Sequence, residues 1–196
     1  MKDWLSDGRA ELAAERILDA VRALFIDRGV AGIGMAEVAE AAGCSRATLY
    51  RYFDSRQSLY VAFAGRETRQ LVERVWRGHR FDAGADQRER LLDGLTAVIA
   101  EVRKTPHLAV WFDASNAGIV ARLSNSSAII EALSADFVAA LRPELPEPAA
   151  HRLGQWTVRV VVSLLTLPGA GEGDERAMLD TFLLPFLLDD RLPITG

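Results

Sequence analysis

Apolar residues recur at helical spacing along almost the whole of this chain, and no segment carries the strict alternation of a half-buried strand. Ile17, Leu18, Val21, Leu24 and Phe25 fall at i, i+1, i+4, i+7 and i+8, which predicts one buried stripe on a helix over 10–28. Gly29 is placed to stop it, and the loop GVAGIG leads to a short helix near 35–42 that Gly43 ends. Ser45 caps a third helix, 46–52, and Asp54 with Gln57 reads as a capping box opening a fourth toward 78. The stretch HRFDAGAD, 79–86, breaks the period and marks a joint. Helices resume near 87–104, 107–113, 115–123, 126–142, 148–167 and 174–188, separated by Pro106, by PELPEP and by PGAGEG, with a kink expected at Pro185. VRVVV is rich in β-branched residues, yet it continues a pattern from His151 to Leu167 that is too long for a strand. The expected fold class is all-α.

A chain of 196 residues can bury a core without staples. Its single cysteine, Cys44, allows no internal disulfide, and His79, His107 and His151 are too scattered to form a ligand set, so neither metal nor cofactor is expected. The longest apolar run, VVVSLLTLP at 160–168, is far too short to span a bilayer. A soluble, cytoplasmic protein without membrane association is the expectation. Net charge is −4, but it is unevenly distributed: residues 1–66 hold nine basic and nine acidic side chains, and the excess acid lies beyond them. Between 43 and 56, Arg46, Arg51 and Arg56 face Asp54 alone, a positive island on an acidic chain.

That island has a specific construction. Ala39, four residues before Gly43, lets a third helix pack closely across the second, and Gly43 supplies the left-handed conformation of a sharp turn. Val38, Ala42, Cys44, Leu49 and Tyr52 supply the inward positions, where the Cys44 thiol acts as a small hydrophobe. This is a helix-turn-helix pattern, in which the second helix enters the major groove and neighbouring groups hold phosphates. Ser45, Arg46, Ala47 and Thr48 form its first turn, while Tyr50, Arg51, Tyr52 and Arg56 complete the candidate DNA-binding set.

The run FIDRGVAGIGMAEVAEAAGCSRATLYRYFDSRQSLYVAF, 25–63, resembles the tetracycline-repressor-like (TetR/AcrR) transcriptional regulators. Val38, Ala39, Ala42, Gly43, Ser45, Leu49, Tyr50, Phe53, Ser55, Arg56 and Leu59 fall on the family's pattern. The chain departs from it at Gly34–Met35, where a capping threonine is common, at Ala47 for glycine and at Arg56 for lysine. The resemblance implies an N-terminal three-helix helix-turn-helix DNA-binding domain, 1–55, and a C-terminal helical ligand-binding and dimerisation domain, 56–196, linked by the helix of 55–78. It also implies a homodimer on double-stranded operator DNA, acting as a repressor that a small effector releases.

In that second part the helix of 148–167 is apolar nearly all round and the one from 174 is almost so, more than one chain could cover. Leu153, Val160, Leu164, Leu179, Phe182, Leu183 and Phe186 are the expected interface between copies. The resemblance puts an effector cavity among the middle helices, where His107, Trp111, Phe112, Asp113, Asn116, Phe137, Trp156 and Arg159 are the candidates. Aromatic walls with few polar groups suit a small, largely apolar molecule. The alternative, a helical enzyme or ligand-binding dimer with the helix-turn-helix as scaffold, has little support. PGAGEG and GVAGIG lack the continuation of a phosphate loop, and no nucleophile or metalloprotease motif is present.

Overall fold

The computed structural model describes residues 4–78, 86–116, 118–120 and 127–188, and among them there is no strand. The expected joint over 79–86 lies outside the described residues except for Asp86, as does the helix expected over 115–123 beyond residue 120. Helix α1 (Trp4–Arg28) begins earlier than its apolar stripe and stops at Gly29, which is left-handed at φ 72°. Helices α2 (Met35–Ala41) and α3 (Arg46–Tyr52) follow. Gly43, at φ 65°, turns the chain between them, and the amides of Gly43 and Cys44 donate to the carbonyls of Glu40 and Ala39. Those two bonds form a Schellman motif that satisfies the end of α2 and aims α3 across it.

Two caps differ from expectation. At α2 no side chain of Gly34 exists to accept, and Glu37 reaches back instead, its Oε2 taking the Gly34 amide at 2.8 Å while Oε1 pairs with Arg28 at 2.6 Å. Helix α4 (Arg56–Gly78) is opened by Ser55 and Ser58 rather than by Asp54 and Gln57. The Ser58 amide donates to Ser55 Oγ at 3.0 Å and the Ser55 amide to Ser58 Oγ at 3.1 Å, so a second serine does the work of the usual acid.

Helix α5 (Gln87–Lys104) is capped by Asp86. The single helix expected at 107–113 is instead a short α6 (Pro106–Ala109) followed by 3₁₀ turns at Val110–Phe112 and Ala114–Asn116. Asp113 is extended there, and Asn116 Nδ2 donates to the Val110 carbonyl at 2.8 Å. Then come α7 (Ala128–Leu141), α8 (Glu147–Thr166), α9 (Glu172–Phe182) and α10 (Leu184–Leu188). Pro185 has no amide hydrogen to continue a helix, and the chain bends at Leu183 into two helices where one kinked helix was expected.

Two buried clusters organise these helices. The first gathers Val21, Phe25, Val38, Leu49, Leu59 and Phe63 from α1–α4 and takes in Trp111 from the 3₁₀ turn. The second gathers Leu71, Leu95, Ile99, Val138, Leu153, Leu179 and Leu187 from α4, α5 and α7–α10. Helix α4 runs through both. Helices α7 and α8 come close at Gly154, where a Cβ would meet the Ser134 backbone at 2.7 Å. No helix among the described residues is long and apolar enough to cross a membrane.

Candidate functional site

The start of α3 is held by one side chain. Ser45 Oγ accepts the Thr48 amide at 3.0 Å and lies 2.9 Å from the Thr48 hydroxyl, so Thr48 is half-buried and fixed in rotamer. Ser45, Arg46, Ala47, Tyr50, Arg51 and Arg56 are exposed, whereas Leu49 is fully buried and anchors the helix from beneath. Tyr52 is half-buried against the first core cluster, with the Arg51 guanidinium carbon 5.2 Å from its ring centre. Arg56 sits 5.9 Å from the Tyr60 ring. One side of α3 thus presents two arginines, a phenol and the capped first turn to solvent, and the other side is core.

Behind this head, Phe25 is met edge-on by Tyr60, Phe63 and Trp111 at 5.3, 4.9 and 4.9 Å. The Tyr60 hydroxyl donates to the Val30 carbonyl at 2.7 Å, tying α4 to the loop after α1. A polar clasp lies beside the rings. Glu67, 1% exposed, accepts from Arg22 of α1 at 2.6 Å and from Arg66 at 3.0 and 3.2 Å on Oε1, and from His107 Nε2 at 2.9 Å on Oε2. Arg66 in turn reaches Glu15 and Asp19 of α1, each at 2.9 Å. Burial alone would raise the Glu67 pKa, but the bonds from Arg22 and His107 and the charges of Arg22 and Arg66 bring it below its ordinary value.

Among α4, α5, α7, α8 and the 3₁₀ turns lies a cavity of about 280 Å³. Phe63, Leu71, Leu95, Leu133, Phe137 and Val161 line it, with Trp111 and Phe112 closing the end nearest the head. Of the eight candidates, Trp111, Phe112 and Phe137 line the cavity. His107 stands behind the wall, bonded to Glu67, which does line it. Asn116 is buried outside the lining, and Asp113, Trp156 and Arg159 are exposed, so solvent rather than the cavity takes the Arg159 charge. Glu67 was missed, although a signal existed. Phe63, Glu67, Leu71 and Val75 recur every four residues, and an acid on a core stripe needs buried partners.

The interface expectation also divides. Leu153, Leu164, Leu179 and Leu183 are buried within the chain, Val160 is half-buried, and only Phe182 and Phe186 face out. The apolar side chains that α8, α9 and their flanks leave in solvent are Trp156 (49% exposed), Leu167 (74%), Phe182 (68%), Phe186 (42%) and Met178 (38%). The helices named do leave apolar side chains in solvent, but the leucines named on them fill the chain's own core.

Residues 17–63 match the family model of bacterial regulatory proteins of the tetR family. An uncharacterized HTH-type transcriptional regulator of Mycobacterium tuberculosis is 46% identical over 185 residues, covering 94% of this chain and 90% of that one. Among solved structures, the TetR family repressor AlkX of Dietzia superposes with a TM-score of 0.65 at 23% identity, over 89% of this chain and 94% of that one. FadR of Thermus thermophilus, a transcriptional repressor crystallised with lauroyl-CoA, gives 0.60 at 23%, over 93% and 99%. The capped recognition-type helix, the turn at Gly43 and a relative matched over nearly its whole length agree: this chain belongs to the tetR family of bacterial transcriptional regulators.

Proposed function

We propose that the protein is a homodimeric repressor that reads operator DNA through α3 and is released when a small, largely apolar molecule enters the cavity. The observation that carries this is the one-sided exposure of α3. Arg46, Ala47 and the capped Thr48 occupy the turn that meets base edges in a helix-turn-helix, and Tyr50, Arg51 and Arg56 flank it where phosphates pass. Residues 1–55 serve as the reading head and 56–196 as the ligand-binding and dimerisation body. The exposed side chains of α8 and α9 supply the face on which two copies meet and set two heads about 34 to 36 Å apart, one turn of DNA. A protein with this task works in the cytoplasm, where the operator is. Enzymatic chemistry falls away with membership in a family of regulators.

The cavity's apolar lining supports an apolar effector, which favours a dimer whose heads no longer match the half-sites. The acyl chain of the lauroyl-CoA in the Thermus FadR complex is apolar in the same way. Operator selection from a random library, followed by gel shift, tests the reading. Tyr50→Ala or Arg56→Ala should weaken binding to every sequence alike. Arg46→Ala or Thr48→Ala should cost about 1–3 kcal/mol on the selected operator and relax preference at one position. Unaltered affinity in all four variants would refute it.

A further inference from the structure

The cavity's polar chemistry is lopsided. Among the described residues its lining includes no lysine, arginine or histidine, and its one charged residue is Glu67. Its other polar side-chain groups are three hydroxyls, on Thr68, Ser134 and Thr157, and the Trp111 indole N–H. Two of these are committed to their own helices: Ser134 Oγ donates to the Glu131 carbonyl at 2.9 Å and Thr157 Oγ1 to the Leu153 carbonyl at 2.9 Å. Behind the wall the charges do not reverse the sign. Glu67, Glu15 and Asp19 face Arg22, Arg66 and His107, and both arginines are turned to those acids while the His107 ring lies against Glu67. An anion entering this space would lose its water, gain no cation from the described lining and meet an acid.

The donors on Glu67 are unevenly shared: Oε1 takes three N–H donors, whereas Oε2 takes only His107 Nε2 and keeps its second lone pair. Resting on the effector reading above, we propose that the cavity selects an uncharged alkyl molecule ending in a hydrogen-bond donor, such as a long-chain alcohol, and rejects the matching carboxylate, with Glu67 as the discriminating residue. The donor docks on Oε2 beside His107. That places the ligand's polar end against the clasp joining α4 to α1, so the same carboxylate that recognises the ligand also holds Arg22 of the reading head.

Calorimetric titration of the full-length protein with 1-octanol, 1-methoxyoctane and sodium octanoate at neutral pH tests this, since the three share a chain length and differ only at the end group. Octanol should bind at least about tenfold more tightly than either of the others, the ratio expected for one hydrogen bond to a charged group. Glu67→Gln, checked for folding by its thermal transition, should bring octanol and octanoate within about threefold of each other by removing the repelling charge. Octanoate binding as tightly as octanol to the wild type would overturn the proposal while leaving the cavity an effector site. So would methoxyoctane matching octanol, or an octanol-to-octanoate ratio unchanged in Glu67→Gln. Absence of binding by all three would overturn the effector reading and this proposal together.

Discussion

Tyr60 and Glu175 show how single polar atoms fasten this fold. Tyr60 is 4% exposed and its hydroxyl satisfies the Val30 carbonyl, so Tyr60→Phe leaves that carbonyl orphaned and should cost about 1–3 kcal/mol in denaturant unfolding. Glu175 meets Arg103 in a two-pronged pair, both contacts 2.7 Å, and also accepts the Gly169 amide at 2.9 Å. The Arg103 hydrogen bond holds the Glu175 pKa below its ordinary 4.5, and Glu67 is likewise lowered. A carboxylate depressed in the folded state stabilises it at pH above the unfolded value, and the contribution disappears as pH falls through the folded value. The melting temperature should therefore be insensitive to these groups above about pH 4.5 and drop below it, with Glu175→Gln showing a shallower acid slope. None of these partners was legible in the sequence. Arg22, Glu67 and His107 lie up to 85 positions apart, and only the acid on an apolar stripe hinted that partners must exist.

Elements were far more legible, because their signals are local. The glycines at 29 and 43, the Ser45 cap and the period of α1, α4, α5 and α8 all act within a few residues, and each of these helices forms where that local pattern lies. Failures arose where a neighbour competed with the local signal. Ser58 displaced Gln57 as the partner in the α4 cap, and Asn116 captured a carbonyl that would have prolonged α6. Close approach of helices was invisible too. At Gly154 the α8 backbone lies on Ser134 of α7, and Gly154→Ala should lower stability by about 1–3 kcal/mol, read from the same unfolding curves, since neither backbone can yield cheaply. At Gly43 a Cβ meets nothing within 4 Å, so Gly43→Ala should cost only the left-handed conformation, about 1–2 kcal/mol.

At the scale of the whole molecule, the sequence marked the helix-turn-helix and the two helices with surplus apolar surface, and the resemblance pointed to a middle cavity, but neither told which side chains line it or remain outside. Accounting for burial needs the packed chain, since a leucine on an apolar helix can serve the core or a second copy with the same spacing. The exposed set now gives a sharp test: Phe182→Glu should convert a dimeric mass in light scattering to a monomeric one with the fold intact, and operator affinity should fall with it. The aromatic junction carries a further consequence. Phe63 and Trp111 are at once the floor beneath the reading head and the end wall of the cavity. On the reading proposed above, change there would alter the sensed molecule and the seat of the reading head together, whereas lining residues outside that junction, such as Val98, Leu133 and Phe137, can vary without touching it.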